Sequence, residues 1–146
     1  MDRSIQIDTF SRLTQVSRET IESLIKYEKI LIKHNKNLNL VGKSTIDYIW
    51  QRHFLDSAQV IDFIDKNDKT LVDMGSGAGF PGLVLAILAK EKNFSLKIKL
   101  IEKSPKKVKF LKHVIKEMHL DTQVLNQNIL KDKIKISEDV FVARAF

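Results

Sequence analysis

The segment Asp73-Met74-Gly75-Ser76-Gly77-Ala78-Gly79-Phe80-Pro81-Gly82 holds the residues best suited to chemistry. Glycine admits positive φ and lets a ligand approach the backbone closely. The run Thr70-Leu71-Val72-Asp73-Met74 leads in and reads as a buried parallel strand. An apolar helix over 83–90 leads out. A strand-to-helix turn of this kind offers free helix N-terminal N–H groups to a carboxylate or phosphate. A dinucleotide site needs G-x-G-x-x-G. Here the glycines run G-x-G-x-G, and Phe80 stands where the third dinucleotide glycine would be. Glu102 ends the next strand. In Rossmann-like folds an acid there accepts hydrogen bonds from both ribose hydroxyls. Strand, glycine turn, helix, strand and acid in this order predict a nucleoside-containing cofactor. Gly75, Gly77 and Glu102 are its candidate ligands.

The elements that must position these residues follow from periodicity and punctuation. Residues 1–37 read as helical, with Ile21, Leu24, Ile25, Leu31 and Ile32 on one stripe and no Gly or Pro before Gly42. Residues 35–39 read as a polar loop, 45–64 as a second helical segment, and 65–69 as a polar connection. Trp50, His53 and Phe54 are candidates for the buried face of that second segment, and Trp50 and Phe54 for packing it on the sheet. Leu96, Ile98 and Leu100 alternate with Lys97 and Lys99 in a strand over 96–102. Ser104 and Pro105 are a helix N-cap and first-turn residue. Val108, Leu111, Ile115 and Met118 form the stripe of the helix behind them. Further strands are expected at 123–125 and 140–143. The order strand–helix–strand–helix–strand implies parallel pairing. The expected architecture is α/β: a helical arm over 1–66 on a Rossmann-like core over 67–146.

The remaining composition narrows the function classes. The longest apolar stretch, 83–89, is far too short to span a bilayer, and the N-terminus lacks a signal-peptide pattern. There are no cysteines, so neither disulfides nor thiolate metal sites are open to the chain. A cytoplasmic protein without membrane or metal partners is expected, acting as a monomer. The net charge is +7, and the stretch 97–135 alone carries eleven Lys against four acids. Phosphate-rich partners suit such a surface. Charge alone does not separate that reading from a solvated face, to which Lys103, Lys106, Lys107 and Lys109 are assigned. His53 reads as a packed helix histidine rather than a catalytic one. Asp56 and Ser57 read as partners of backbone groups across the arm–sheet junction.

The glycine pattern behind an acidic strand end resembles motif I of class I S-adenosylmethionine methyltransferases. The intact Gly-Ser-Gly-Ala-Gly-Phe-Pro-Gly from Gly75 to Gly82 resembles, more narrowly, the RsmG (GidB) family. Lys33-His34-Asn35-Lys36-Asn37-Leu38-Asn39-Leu40 and His53-Phe54-Leu55-Asp56-Ser57 are similar to two upstream segments of that family. The stretch 102–111 and Ala143-Arg144-Ala145 are similar to two downstream ones. The resemblance runs from about Tyr27 to Phe146. It implies a class I methyltransferase sheet, S-adenosyl-L-methionine as cofactor, and methyl transfer to guanine N7 of 16S ribosomal RNA, free or in the small-subunit particle. It also implies that Asp73 lies near the cofactor amino group, that Gly75 and Phe80 line the cofactor site, that Ile129 and Leu130 meet the adenine, and that Arg144 lies near the cofactor. Leu130 departs from the family's usual Glu, and Glu102-Lys103 from its Asp-Ser. Family members continue past the position of Phe146, so the last sheet strands are expected to be missing here. Guanine N7 carries a lone pair and no proton, so no catalytic acid or base is assigned. Two rival readings are an RNA-binding protein without turnover and an NAD-dependent oxidoreductase.

Overall fold

The computed structural model describes residues 1–92, 95–135 and 137–144. Ala145 and Phe146, at the end of the family-like segment, lie outside the described residues.

The arm is two helices rather than one. α1 spans Arg3–Thr14 and α2 spans Arg18–Leu38. The break needs neither Gly nor Pro. Gln15 takes the left-handed conformation at φ 54°, and the Ser17 hydroxyl caps α2 by accepting from the Thr20 N–H at 3.2 Å. The loop expected at 35–39 is instead the last turn of α2. Asn35 is buried there, and its side-chain oxygen accepts from the Val41 N–H at 2.8 Å, which satisfies a polar group inside the helix. Asn39, left-handed at φ 49°, ends it.

The second helical segment changes pitch along its length. A short α3 (Lys43–Ile46) is followed by a π-helical stretch (Trp50–Leu55), a turn of α4 (Asp56–Ala58) and a 3₁₀ stretch (Gln59–Phe63). The wide π turn lets Trp50, His53 and Phe54 all face inward.

Four strands follow: β1 (Thr70–Met74), β2 (Lys97–Glu102), β3 (Thr122–Asn126) and β4 (Val140–Val142). They pair in parallel in the order β3-β2-β1-β4. The chain therefore builds outward from β1 on one side and returns to its other side, which makes the carboxyl end of β1 a topological switch point. Ligands of open α/β sheets bind at such points. α5 (Gly82–Glu91) and α6 (Pro105–Met118) link the strands. Every residue of α5 from Gly82 to Ala89 is buried, because the helix packs against β2 and also against α2, α4 and the 3₁₀ stretch. One continuous apolar cluster thus runs from Phe10, Leu24 and Tyr27 in the arm through α5 to Leu71 and Leu100 in the sheet. No helix among the described residues is long and apolar enough to cross a membrane.

Candidate functional site

β1 delivers Asp73 and the glycine loop to the carboxyl edge of the sheet, and β2 delivers Glu102 beside them. The two strands are in register, with Met74 opposite Ile101. The Gly75 and Ser76 N–H groups both donate to the Ile101 carbonyl, at 2.9 and 3.0 Å, so the loop begins as an extension of the ladder. Gly77 then takes φ +55°, and a Cβ built there would touch nothing in the protein. Its N–H donates to Glu102 Oε1 at 2.9 Å, while the Ser104 N–H donates to Glu102 Oε2 at 2.7 Å. Both carboxylate oxygens are thereby oriented, and each keeps acceptor capacity. Beyond β3 the chain is tied to the same point, since the Gln127 N–H donates to the Glu102 carbonyl at 3.1 Å.

These groups enclose an open cavity of about 170 Å³. Gly75, Gly77, Glu102, Ile129 and Leu130, five of the eight expected cofactor residues, line it together. Ile101, Lys103, Lys107, Gln127 and Asn128 complete the wall. The last two were signalled in the sequence only as polar residues just past a strand end. Leu130 is 77% exposed and offers the cavity an apolar side chain where a carboxylate would be usual.

Asp73, Phe80 and Arg144 stand outside this wall. Asp73 is fully buried, with Oδ2 accepting from the Gly82 N–H at 2.9 Å and Oδ1 without a partner among the described residues. Burial pushes its carboxyl up to about 7, against the opposing pull of the Gly82 hydrogen bond.

Phe80 is the hub of an aromatic cluster on the arm side. The His53 ring lies parallel to it at 4.9 Å and 10°, and Tyr27 stacks at 5.8 Å. The Arg144 guanidinium sits 5.6 Å from its centroid. Arg144 also donates to His53 Nδ1 at 2.8 Å and to the Arg52 carbonyl at 2.7 Å. Arginine has no acceptor, so His53 Nδ1 must accept, and the proton resides on Nε2, which meets Thr45 Oγ1 at 2.9 Å. Burial, and then the Arg144 charge, lower His53 to about 4. His53 is a packed, neutral histidine.

The junction differs from expectation at its neighbours. The partner of Asp56 is the Arg144 side chain, with Nε 3.5 Å from Oδ2, rather than backbone, because the guanidinium from the end of β4 reaches over it. Ser57 Oγ is buried with no partner among the described residues. The basic stretch forms few ion pairs. Of the lysines in 97–135 only Lys99 is paired among the described residues, with Glu138 at 2.8 Å, and Lys103, Lys106, Lys109, Lys112 and Lys116 are exposed. No group of three His, Asp or Glu side chains among the described residues could hold a metal ion.

The sequence profile of the GidB family, described as rRNA small subunit methyltransferase G, matches residues 20–146. The chain belongs to the GidB family. It is 43% identical over 132 residues to the ribosomal RNA small subunit methyltransferase G of Rickettsia akari (strain Hartford), a match covering 90% of this chain and 65% of that protein. It is 40% identical over 131 residues to the protein of that name from Jannaschia sp. (strain CCS1), covering 90% and 62%. The chain thus spans just under two thirds of the length of the curated relatives it matches. Among solved structures, coclaurine N-methyltransferase bound to N-methylheliamine and SAH superposes with a TM-score of 0.50 at 13% identity, over 96% of this chain and 49% of that one. That likeness establishes the GidB chain's fold as the α/β fold of a methyltransferase.

Proposed function

We propose that the chain carries the cofactor-binding part of an S-adenosylmethionine-dependent methyltransferase acting on guanine N7 of 16S ribosomal RNA. Membership of the GidB family supports the substrate class. The observation that carries the cofactor is Glu102, with its carboxylate held by the Gly77 and Ser104 N–H groups at the wall of a cavity. Both oxygens have acceptor capacity left for a vicinal diol.

The residues fit such a group in two further respects. The open space beside Gly77 lets a ligand approach the backbone there. Asp73 Oδ1, near the end of β1, is a buried acceptor with no partner among the described residues and suits the amino end of the ligand. In this reading Glu102 holds the ribose, Ile129 and Leu130 cover the base, and Gly75 and Gly77 allow the backbone to come close. Asp73 lies toward the amino-acid end, with Phe80 and Arg144 bracing the loop from the arm side.

When bound, the cofactor supplies an electrophilic methyl group on a sulfonium. Guanine N7 attacks with its own lone pair, so the chain needs no general base. Its residues orient the reactants and exclude water. His53 fits this chemistry: an imidazole lowered to about 4, with both nitrogens engaged, is a structural acceptor and not a proton carrier. The unpaired lysines of α6 suit ribosomal RNA phosphates.

Calorimetric titration with S-adenosylhomocysteine tests the cofactor. Transfer of a labelled methyl group to small-subunit particles and to free 16S RNA, with the product base identified, tests the reaction. Saturable binding with a rise in Tm supports the reading. Absence of binding by a cooperatively folded chain would refute it. RNA retention without methyl transfer would favour a binding protein instead.

A further inference from the structure

Tyr27 lies in the middle of α2, far in sequence from the glycine loop, and none of its surface reaches solvent. Its hydroxyl donates to the Ala78 carbonyl, one residue beyond Gly77. Among the described residues no backbone N–H donates to that carbonyl. Its ring stacks on Phe80 at 5.8 Å and leans on Phe54 at 5.4 Å. Between Ala78 and Phe80, Gly79 takes φ +103°, and a Cβ there would come within 2.5 Å of the Tyr27 hydroxyl oxygen. One arm side chain thus touches three successive loop residues, Ala78, Gly79 and Phe80.

A position that needed only apolar volume would be filled equally well by phenylalanine. A buried tyrosine hydroxyl must find a partner, and the partner here is a loop carbonyl outside any helix or strand. Without the hydroxyl that carbonyl can regain a partner only if its peptide turns toward water, and the turn would reshape the ligand side of the loop.

We infer that Tyr27 is a positioning residue for cofactor binding, fixing the loop over 78–80 so that its amino-acid-binding side is formed before the ligand arrives. The inference rests on the proposed cofactor. It makes the arm a working part of the site. It also predicts a division within the ligand. Ala78, Gly79 and Phe80, the loop residues that Tyr27 touches, do not line the nucleoside cavity, so its effect falls mainly on the amino-acid end.

The test uses the whole chain and two probes. S-Adenosylhomocysteine carries both ends of the ligand, and 5′-methylthioadenosine lacks the amino acid. Their Kd values are measured by calorimetry for the unchanged chain, for Tyr27→Phe, and for Phe10→Leu, which trims a buried arm ring that packs on Trp50 at 5.3 Å. Tyr27→Phe is expected to raise the S-adenosylhomocysteine Kd about ten-fold and the 5′-methylthioadenosine Kd less than two-fold. Phe10→Leu should lower Tm and leave both Kd values in place. An unchanged S-adenosylhomocysteine Kd in Tyr27→Phe would overturn the inference, as would equal weakening of both probes. If the unchanged chain binds neither probe, the cofactor reading falls and takes this inference with it. If Tyr27→Phe has no cooperative melt, hydrogen exchange on the unchanged chain decides. Ligand-induced protection of loop amides together with α2 around Tyr27 supports the link, and protection of the loop alone overturns it.

Discussion

Asp73 should make both the stability of the chain and its grip on the cofactor depend on pH. The carboxyl titrates near 3.8 in an unfolded chain and at about 7 in the fold, chiefly because it is buried. The raised value means that the fold prefers the protonated form. Below about pH 4 both states hold the proton and the preference is fully expressed. Between about pH 4 and 7 only the native state holds it, and stability falls by about 1.4 kcal/mol per pH unit. Above 7 both states have released it and the slope vanishes. The total is roughly 4 kcal/mol, an appreciable share of a small domain's stability. Ligand binding works in the opposite sense. An ammonium group beside Oδ1 favours the carboxylate, so binding expels the proton. At pH 6 about a tenth of the chain is ionised at Asp73, and at pH 7.5 about three quarters, so Kd should be roughly eight-fold weaker at pH 6. Calorimetry in two buffers of different ionisation enthalpy counts the released protons, and urea unfolding of the chain and of Asp73→Asn from pH 4.5 to 8 isolates the stability part. Parallel stability curves for the two proteins, with no proton release on binding at pH 6, would refute the reasoning.

Other substitutions probe the neighbouring contacts. Glu102→Gln turns an amide –NH₂ toward one of the two backbone donors that the carboxylate now satisfies, so S-adenosylhomocysteine should bind at least ten-fold more weakly by calorimetry, and Tm should fall as well. Gly79→Ala places a methyl 2.5 Å from both Leu83 Cδ1 and the Tyr27 hydroxyl oxygen at φ +103°, and should cost about 1–3 kcal/mol in denaturant unfolding; a change below about 0.5 kcal/mol would mean that the loop relaxes freely. Arg144→Met removes the second-ranked cause of the low His53 pKa and leaves the first, burial, in place. The His53 ring protons followed by NMR should then titrate above about 4 and still below 6.5. In the unchanged chain that depressed value lends stability above pH 6.5, which is withdrawn as pH falls toward 4.

Legibility in the sequence divides along the range of the interactions. The run from Thr70 to Glu102 could be read almost residue by residue, because each feature is local: apolar strand, glycine turn, apolar helix, alternating strand, terminal acid. Five of the expected site residues share a cavity for the same reason, since strand ends of a parallel sheet converge at one edge. Local rules failed where the chain used a residue against its ordinary habit. Gln15 breaks the arm from a left-handed conformation without being Gly or Asn, and Asn35 stays helical because a backbone N–H comes back to meet it. The surroundings of Phe80 were beyond reach for a different reason. Arg144, His53 and Asp56 meet across about ninety residues of sequence, and no periodicity encodes a pairing of that span.

The same distinction says what the arm is for. A helix that only covered a sheet would leave the loop to the strand and helix on either side of it. Here α2 reaches past the sheet to the loop itself, through Tyr27, and the π turn brings His53 and Phe54 onto Phe80 as well. β4 then closes the set, because Arg144 just beyond its end bonds His53 and lies over the Phe80 ring. Three segments distant in sequence therefore share a grip on one residue of the glycine loop. The expected boundary near residue 66 separates the chain by pattern, but the core and this cluster both cross it. A fragment beginning at 67 would keep every residue that lines the cavity and lose Tyr27, His53 and Phe54. If the arm acts on the cofactor only through the loop, supplying it as a separate polypeptide should restore S-adenosylhomocysteine binding to that fragment, with the Tyr27→Phe arm restoring it about ten-fold less well. Full binding by the fragment alone would reduce the arm to a cover.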